Sequence, residues 1–281
     1  MRDFTLDRYR ALLEALLAAG YQLLPYEAYC DSLQHSPHEE APRIAILRHD
    51  VDKLPENSLQ TAKIEHALGV RATYYFRITA KTERLSLLRQ GKVEADPQAQ
   101  YISAIAALGH EVGYHYEDLS LAHGDMEKAY AHFQTALAYL RTFYPVRTIC
   151  MHGAPMSKWD NKTLWQQYRY RDDGIIGEPY FDTPFDQVFY LTDTGRCWDG
   201  HRYSVRDKVR EHPNNPALQN RTYHSTFEII RAIQHRPASF PQQLMITTHP
   251  QRWTNNLKAW LKEWVGQSIK NQIKRLIILF R

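Results

Sequence analysis

Short strand-like runs alternate with runs of helical spacing along most of this chain. That alternation constrains the fold more than any other feature of the sequence. Residues 43–50 (RIAILRHD) form an apolar run ending in charge, and residues 70–77 (VRATYYFR) alternate Val70, Ala72, Tyr74 and Phe76 against Arg71, Thr73 and Tyr75, which is a strand period. Further strand-like runs follow at 110–115 (HEVGYH), 148–152 (TICMH), 174–177 (GIIG), 188–192 (VFYLT) and 244–249 (LMITTH). Helices are predicted between them. Asn57 is expected to cap one running to Leu68, with an apolar stripe of Leu59, Ala62 and Ala67 and with Gly69 just beyond its end. Asp96-Pro97 opens a second, carrying Tyr101, Ile102, Ile105 and Leu108 up to Gly109. Asp125 caps a third with Ala129, Phe133, Leu137 and Leu140 on one face, Asn161 a shorter one, and Ser225 one bearing Ile229, Ile230 and Ile233.

Strands alternating with helices imply parallel βαβ units. Seven such strands fit an incomplete (β/α) barrel in a single α/β domain better than an open doubly wound sheet, and no GxGxxG or Walker loop follows any strand. The expected organisation is an N-terminal helical extension over 1–42, the barrel over 43–253, and a C-terminal amphipathic basic helix over 254–281. Residues 180–223 carry little helical signal and read as excursions over one face.

Charge and cysteine content narrow the function. Lys and Arg total 35 against 31 Asp and Glu, a net +4, too weak for a nucleic-acid footprint. Cys30, Cys150 and Cys197 are odd in number and widely spaced, which gives neither a disulfide framework nor a zinc knuckle. The N-terminal stretch is interrupted by Asp, Arg and Glu, so it reads as neither signal peptide nor membrane span, and a cytoplasmic location is expected.

Chemically capable residues stand at the C-terminal ends of four predicted strands: His49-Asp50-Val51-Asp52, His115, His152-Gly153 and His249-Pro250. In barrels that rim is where active sites are built. Carboxylate and imidazole donors suit Zn²⁺ or another divalent metal, which activates water and polarises a carbonyl. Asp50 and Asp52 point the same way in an extended chain, so one can hold a metal while the other takes a proton. His249 is apt as a proton donor.

The ordered set RHDVD (48–52), ATYYF (72–76), GHEVGYH (109–115), MHG (151–153) and THPQRW (248–253) resembles the NodB-homology polysaccharide deacetylases, the carbohydrate esterase family 4 enzymes and relatives. The resemblance spans roughly residues 43–253. It implies a distorted (β/α)₇ barrel, a divalent metal, usually zinc, and removal of acetyl groups from sugars. It assigns Asp50 as base, Asp52 and His115 as metal ligands and His249 as general acid. It places a second ligand His at position 119, where this chain has Leu119, which cannot bind metal. His152, where the family usually has Arg, is the candidate replacement, with Glu117 as rival.

Further substrate-site candidates are Arg48, which shares a strand face with Asp50, and Asp172, Glu178, Arg196, Trp198, Arg252 and Trp253, each on a loop after a strand. Arg beside Trp suits a carboxylated sugar, or pins a turn. His49 is expected to point away from Asp50 and to be structural.

The resemblance implies a deacetylase acting on an N-acylated amino sugar or glycan, in the assembly of a surface polysaccharide such as O-antigen or capsule. The alternatives are a catalytically inactive glycan-binding or assembly protein and, on the His49-Asp50 dipeptide, a metal-dependent phosphohydrolase. Residues 260–281 (WLKEWVGQSIKNQIKRLIILFR) alternate basic and apolar character. They read either as a terminal helix packed on the barrel or a partner subunit, or as a helix in peripheral contact with an anionic membrane surface.

Overall fold

The computed structural model describes residues 2–33, 42–78, 96–154, 156–199, 218 and 221–279, with side chains to residue 273. In chain order it contains α1 (Leu6–Ala18), β1 (Gln22–Leu24), α2 (Tyr26–Leu33), β2 (Ile44–Val51), α3 (Pro55–Ala67), β3 (Thr73–Phe76), α4 (Ala99–Ala107), β4 (Glu111–Tyr116), α5 (Asp118–Leu121), α6 (Met126–Leu140), β5 (Ile149–Met151), α7 (Pro179–Asp182), β6 (Phe189–Thr192), α8 (Thr226–His235), β7 (Gln243–Thr248) and α9 (Leu257–Leu279). The strands form one sheet, in the order β5-β4-β3-β2-β7-β6 with β1 also on β2. Every pairing is parallel. The curled sheet with its surrounding helices is a distorted, incompletely closed (β/α) barrel, as the strand–helix rhythm predicts.

Strand β2 is the axis of this sheet, and all of its residues are buried. One edge pairs with β7, from Ile44↔Gln243 to His49↔Thr248. The other edge is shared. β1 takes its first half, Gln22↔Ile44 to Leu24↔Ile46, and β3 its second, Arg48↔Thr73 to Val51↔Phe76. Alternation along an extended chain sends Ala45, Leu47 and Val51 into the large core beneath the helices and Ile44 and Ile46 into a smaller apolar cluster with Leu24, Tyr26, Tyr29 and Met245. Arg48 and Asp50 lie above Ile44 and Ile46 on that second face. The barrel interior is therefore apolar at its base and charged at its C-terminal rim.

Two caps form as the sequence predicts, at Asp125 and Ser225; Asp96 makes only a turn ahead of α4, whose N-cap position is Gln98 with no side-chain cap bond. The Asp125 carboxylate accepts from Lys128 N (3.0 Å), the Ser225 hydroxyl from Glu228 N (3.3 Å), and Asp96 from Gln98 N (2.9 Å) one residue before α4. Other expectations need correction. Asn57 does not cap α3, because Pro55 already opens that helix; the Asn57 amide reaches Pro250 O instead (3.4 Å). The buried face of α3 is Ser58, Thr61, Ala62 and Glu65, and Ala67 is exposed. That face is polar because Glu65 meets buried imidazole and phenol groups from β2, β3 and α1. Asp160, not Asn161, caps a 3₁₀ turn at Asn161–Gln166. The run 174–177 contributes only a bridge, Thr148↔Gly177, because Glu178 and Pro179 turn the chain at once into α7. The seventh strand is instead β1, which the sequence reading placed in a helical extension.

Candidate metal centre

Four strand ends deliver the side chains of the rim. The turn after β2 carries Asp52, β4 carries His115, the residue after β5 is His152, and the residue after β7 is His249. Asp52 Oδ1 lies 3.5 Å from His115 Nε2 and 3.7 Å from His152 Nε2. Asp52 Oδ2 lies 4.0 Å from His249 Nε2 and accepts from the Gln251 amide (3.4 Å). Asp50 Oδ2 is 3.8 Å from His115 Nε2. Residues spread over two hundred positions of sequence thus meet at one rim.

The far side of each imidazole is already committed. His115 Nδ1 bonds Cys150 O (3.0 Å). A carbonyl only accepts, so Nδ1 carries a proton and Nε2 is the atom turned to Asp52, a proton donor when the ring is charged and a lone pair for a cation when it is neutral. His152 Nδ1 bonds Glu117 Oε2 (2.8 Å), and Arg77 donates to the other oxygen of Glu117 (2.5 Å). A carboxylate behind a ring nitrogen is the arrangement that orients metal-binding histidines and raises their basicity. His152 is further fixed through its backbone, its N–H bonding Tyr116 O (2.8 Å) and its carbonyl accepting from the Asn161 amide (2.9 Å).

Donor chemistry at this point fits a divalent cation. Among the described residues, Asp52 Oδ1 is buried with no partner at ordinary hydrogen-bond geometry, the two histidine Nε2 atoms standing at 3.5 and 3.7 Å. Such an atom is costly unless something positive meets it. Two Nε2 atoms converge on it, so Asp52, His115 and His152 form a one-carboxylate, two-imidazole donor set once the rings are neutral. The side chains of Asp52 and His152 keep 18% and 17% of their surface exposed, which leaves a path from solvent. A second candidate set, Asp50 with His115 and Cys150, fits less well. Both Asp50 oxygens already accept from Arg48, Nε to Oδ1 at 2.9 Å and Nη2 to Oδ2 at 2.7 Å, and a cation there would face the guanidinium. Leu119 lies buried in α5 and contributes no donor.

The electrostatics follow from these pairings. Burial pushes the Asp50 carboxyl upward, but Arg48, His115 and His249 outweigh it and hold the group below the usual carboxylate range. The same competition leaves Asp52 well below that range, through His115, His152 and His249. Asp193 is held at about 2 against its burial by Arg252 and His249.

Asp193 is the residue whose role sequence reasoning missed. It follows β6, and the Thr192↔Thr247 register sets it beside the end of β7. Its Oδ1 bonds His249 Nδ1 (2.6 Å) and accepts from Arg252 (2.5 Å); its Oδ2 accepts from His249 N (2.9 Å) and the Trp253 indole (2.8 Å). The signal available was an Asp directly after a strand-like run.

Other candidates lie elsewhere. Trp253 and Arg252 brace Asp193 from behind. Glu178 is fully buried, accepting from Tyr180 N (2.6 Å), Phe181 N (3.2 Å) and Met151 N (2.9 Å); burial pushes it up to about 7. It caps α7 and ties it to β5. Asp172 stands out in solvent, 4.0 Å from Arg169. Arg196 donates to Trp260 O (3.0 Å) under α9, and Trp198 is buried, bonding Thr226 (2.9 Å). Arg196 and Trp198 are thus engaged in packing away from the rim, and among the described residues Asp172 packs on nothing there. His49 points away from Asp50, to Thr248 and Glu65 (each 2.6 Å), so the dipeptide does not act as a pair.

No family model matches the chain, and no curated protein matches it. Among solved structures it is similar to the crystal structure of a wild-type CE4 family pseudoenzyme from Bacillus anthracis, with 12% sequence identity and a TM-score of 0.40. That similarity covers 83% of this chain and 62% of the other, so the chain spans less than two thirds of that protein's length. A likeness this distant does not extend to chemistry, which rests on the side chains.

Proposed function

We propose that this chain is a metal-dependent C–N hydrolase that removes a small acyl group from an N-acylated amino sugar of a surface polysaccharide. The observation that carries the reading is the buried Asp52 Oδ1 with the Nε2 atoms of His115 and His152 converging on it at 3.5 and 3.7 Å. Those three residues would hold the metal. Zinc or a similar ion, when bound there, supplies polarisation of the amide carbonyl and a water of lowered pKa.

The chain's own residues do the rest. Asp50, kept ionised by the Arg48 fork, takes the proton of the attacking water. His249 stands across Asp52 from the other histidines and gives a proton to the departing amine through Nε2. Asp193 fixes its Nδ1, so the ring keeps one orientation through the transfer. Glu117 keeps the His152 ring turned toward Asp52.

The experiment is metal analysis of the purified protein together with acetate release from N-acetylated amino-sugar intermediates. The expected result is about one divalent ion per chain, lost in Asp52→Ala, and hydrolysis restored to chelated protein by added Zn²⁺. A wild-type protein that neither retains nor takes up metal sinks the reading. The second reading, a glycan-binding protein without hydrolysis, is favoured by Leu119 at the position of a family ligand. It predicts saturable sugar binding with no acetate release, with or without Zn²⁺.

A further inference from the structure

The terminal helix α9 is inside out. Trp260, Glu263, Gln267 and Asn271, spaced by three and four, form the face turned to the body. The Trp260 indole donates to Asp3 O (2.7 Å), the Asn271 amide to Gly195 O (2.8 Å), and the Arg196 guanidinium lies 4.3 Å from the Trp260 ring centre. Gln267 is 4% exposed. The packed face is thus mainly polar. The outward face carries Leu257, Leu261, Val265, Ile269 and Ile273, each between 44% and 57% exposed, with Trp264 at its edge, stacked on Trp260. A surface helix ordinarily does the reverse.

Charge identifies the occupant of that face. Lys258, Lys262 and Lys270 are exposed, each directly following a residue of the apolar row. The one carboxylate between 257 and 273 is Glu263, on the packed side near Arg196. No acidic residue follows it, while Lys274 and Arg275 do. A second copy of the chain docked on this face about a two-fold axis would set lysines against lysines. An anionic bilayer surface satisfies both rows, with the apolar side chains in the acyl boundary and the lysines reaching up to phosphates. No helix among the described residues is long and apolar enough to cross a membrane; α9 would lie in the interface.

We propose that α9 docks this protein on an anionic lipid surface. The inference stands apart from the catalytic reading. Its test is flotation of the full-length protein with phosphatidylcholine vesicles, with and without phosphatidylglycerol. The wild type should float only with the anionic vesicles and be released as salt rises. Each lysine near the surface contributes about fivefold, so reversing all three (Lys258→Glu, Lys262→Glu, Lys270→Glu) should weaken partitioning by more than about a hundredfold. Ile269→Asn, which removes apolar surface and adds no charge, should weaken it with no change in the salt slope. All four substitutions lie on the exposed face, and circular dichroism melts check that the fold is retained. Equal flotation with both vesicle types overturns the proposal, as does no flotation with either. So does a dimer that Ile269→Asn dissociates without vesicle binding, which would make a second copy the occupant.

Discussion

At the scale of single residues, the rim is built from pairs in which one side chain faces the cluster and another holds it from behind. Arg48 stands behind Asp50, Glu117 behind His152, Cys150 O behind His115, and Asp193 behind His249. The residues that face the cluster were legible in the sequence, because they end strand-like runs. The holders were not, except Arg48, since their role depends on which strands become neighbours. Asp193 is the clearest case: nothing in LTDTG names a partner fifty-six positions away. Asp193→Asn keeps the shape but cannot hold the charged ring. Turnover of an N-acetylated amino sugar should fall by about 10²–10⁴, with KM and bound metal unchanged. Steady-state kinetics with metal analysis checks this. A fall in metal content matching the fall in rate would instead make Asp193 a support of the metal centre.

At the scale of elements, the rhythm of strands and helices came through wherever one face of a run was apolar and its ends were capped. It failed where polar groups were buried or where the run was too short to pair. The α3 stripe misled because its inward face serves Glu65, and 174–177 misled because α7 follows without a gap. The β4–α5 junction carries another buried group. Asp118 accepts Tyr114 OH on both oxygens (2.9 Å each), yet burial, with the charge of Glu117, pushes its carboxyl up to about 8. The unfolded chain releases that proton near pH 3.9. Between these values the folded state binds more protons than the unfolded state, so stability falls as pH rises. Glu111 and Glu178, each pushed up to about 7 chiefly by burial, act in the same direction. Asp118→Asn removes one of the three contributions. The drop in Tm between pH 5 and pH 8 should be smaller in the variant than in the wild type, measured by calorimetry in matched buffers. An unchanged drop would show that Asp118 is ionised in the folded protein.

At the scale of the whole molecule, residues 2–33 supply more than an extension. β1 fills the half of the β2 edge that β3 leaves open, and α2 packs Tyr26 and Tyr29 against the base of the barrel. The Tyr9, Leu12, Leu13 and Leu16 side chains of α1 are completely buried. Tyr9 also donates to Glu65 (2.5 Å), and its ring meets the edge of Trp253, whose indole braces Asp193. The N-terminal segment thereby reaches His249 through three contacts, by way of Trp253 and Asp193. This part was illegible because a three-residue strand carries too little pattern to be told from a loop, and because α1 alone shows only an amphipathic helix that could pack anywhere. If α1 belongs to the barrel's core, Leu12→Ala should destabilise the whole domain by about 2–5 kcal/mol, the range for a fully buried leucine. In a protein of this length that lowers Tm by several degrees in a single transition. If α1 were an appended element, the same substitution would leave the main transition in place and melt only the N-terminal helix. Denaturant unfolding followed both by far-ultraviolet circular dichroism and by tryptophan fluorescence separates the two. Trp198 and Trp253 pack against Phe4 and one another, so fluorescence reports on the junction itself. Coincident curves, both shifted to lower denaturant, are the expected result.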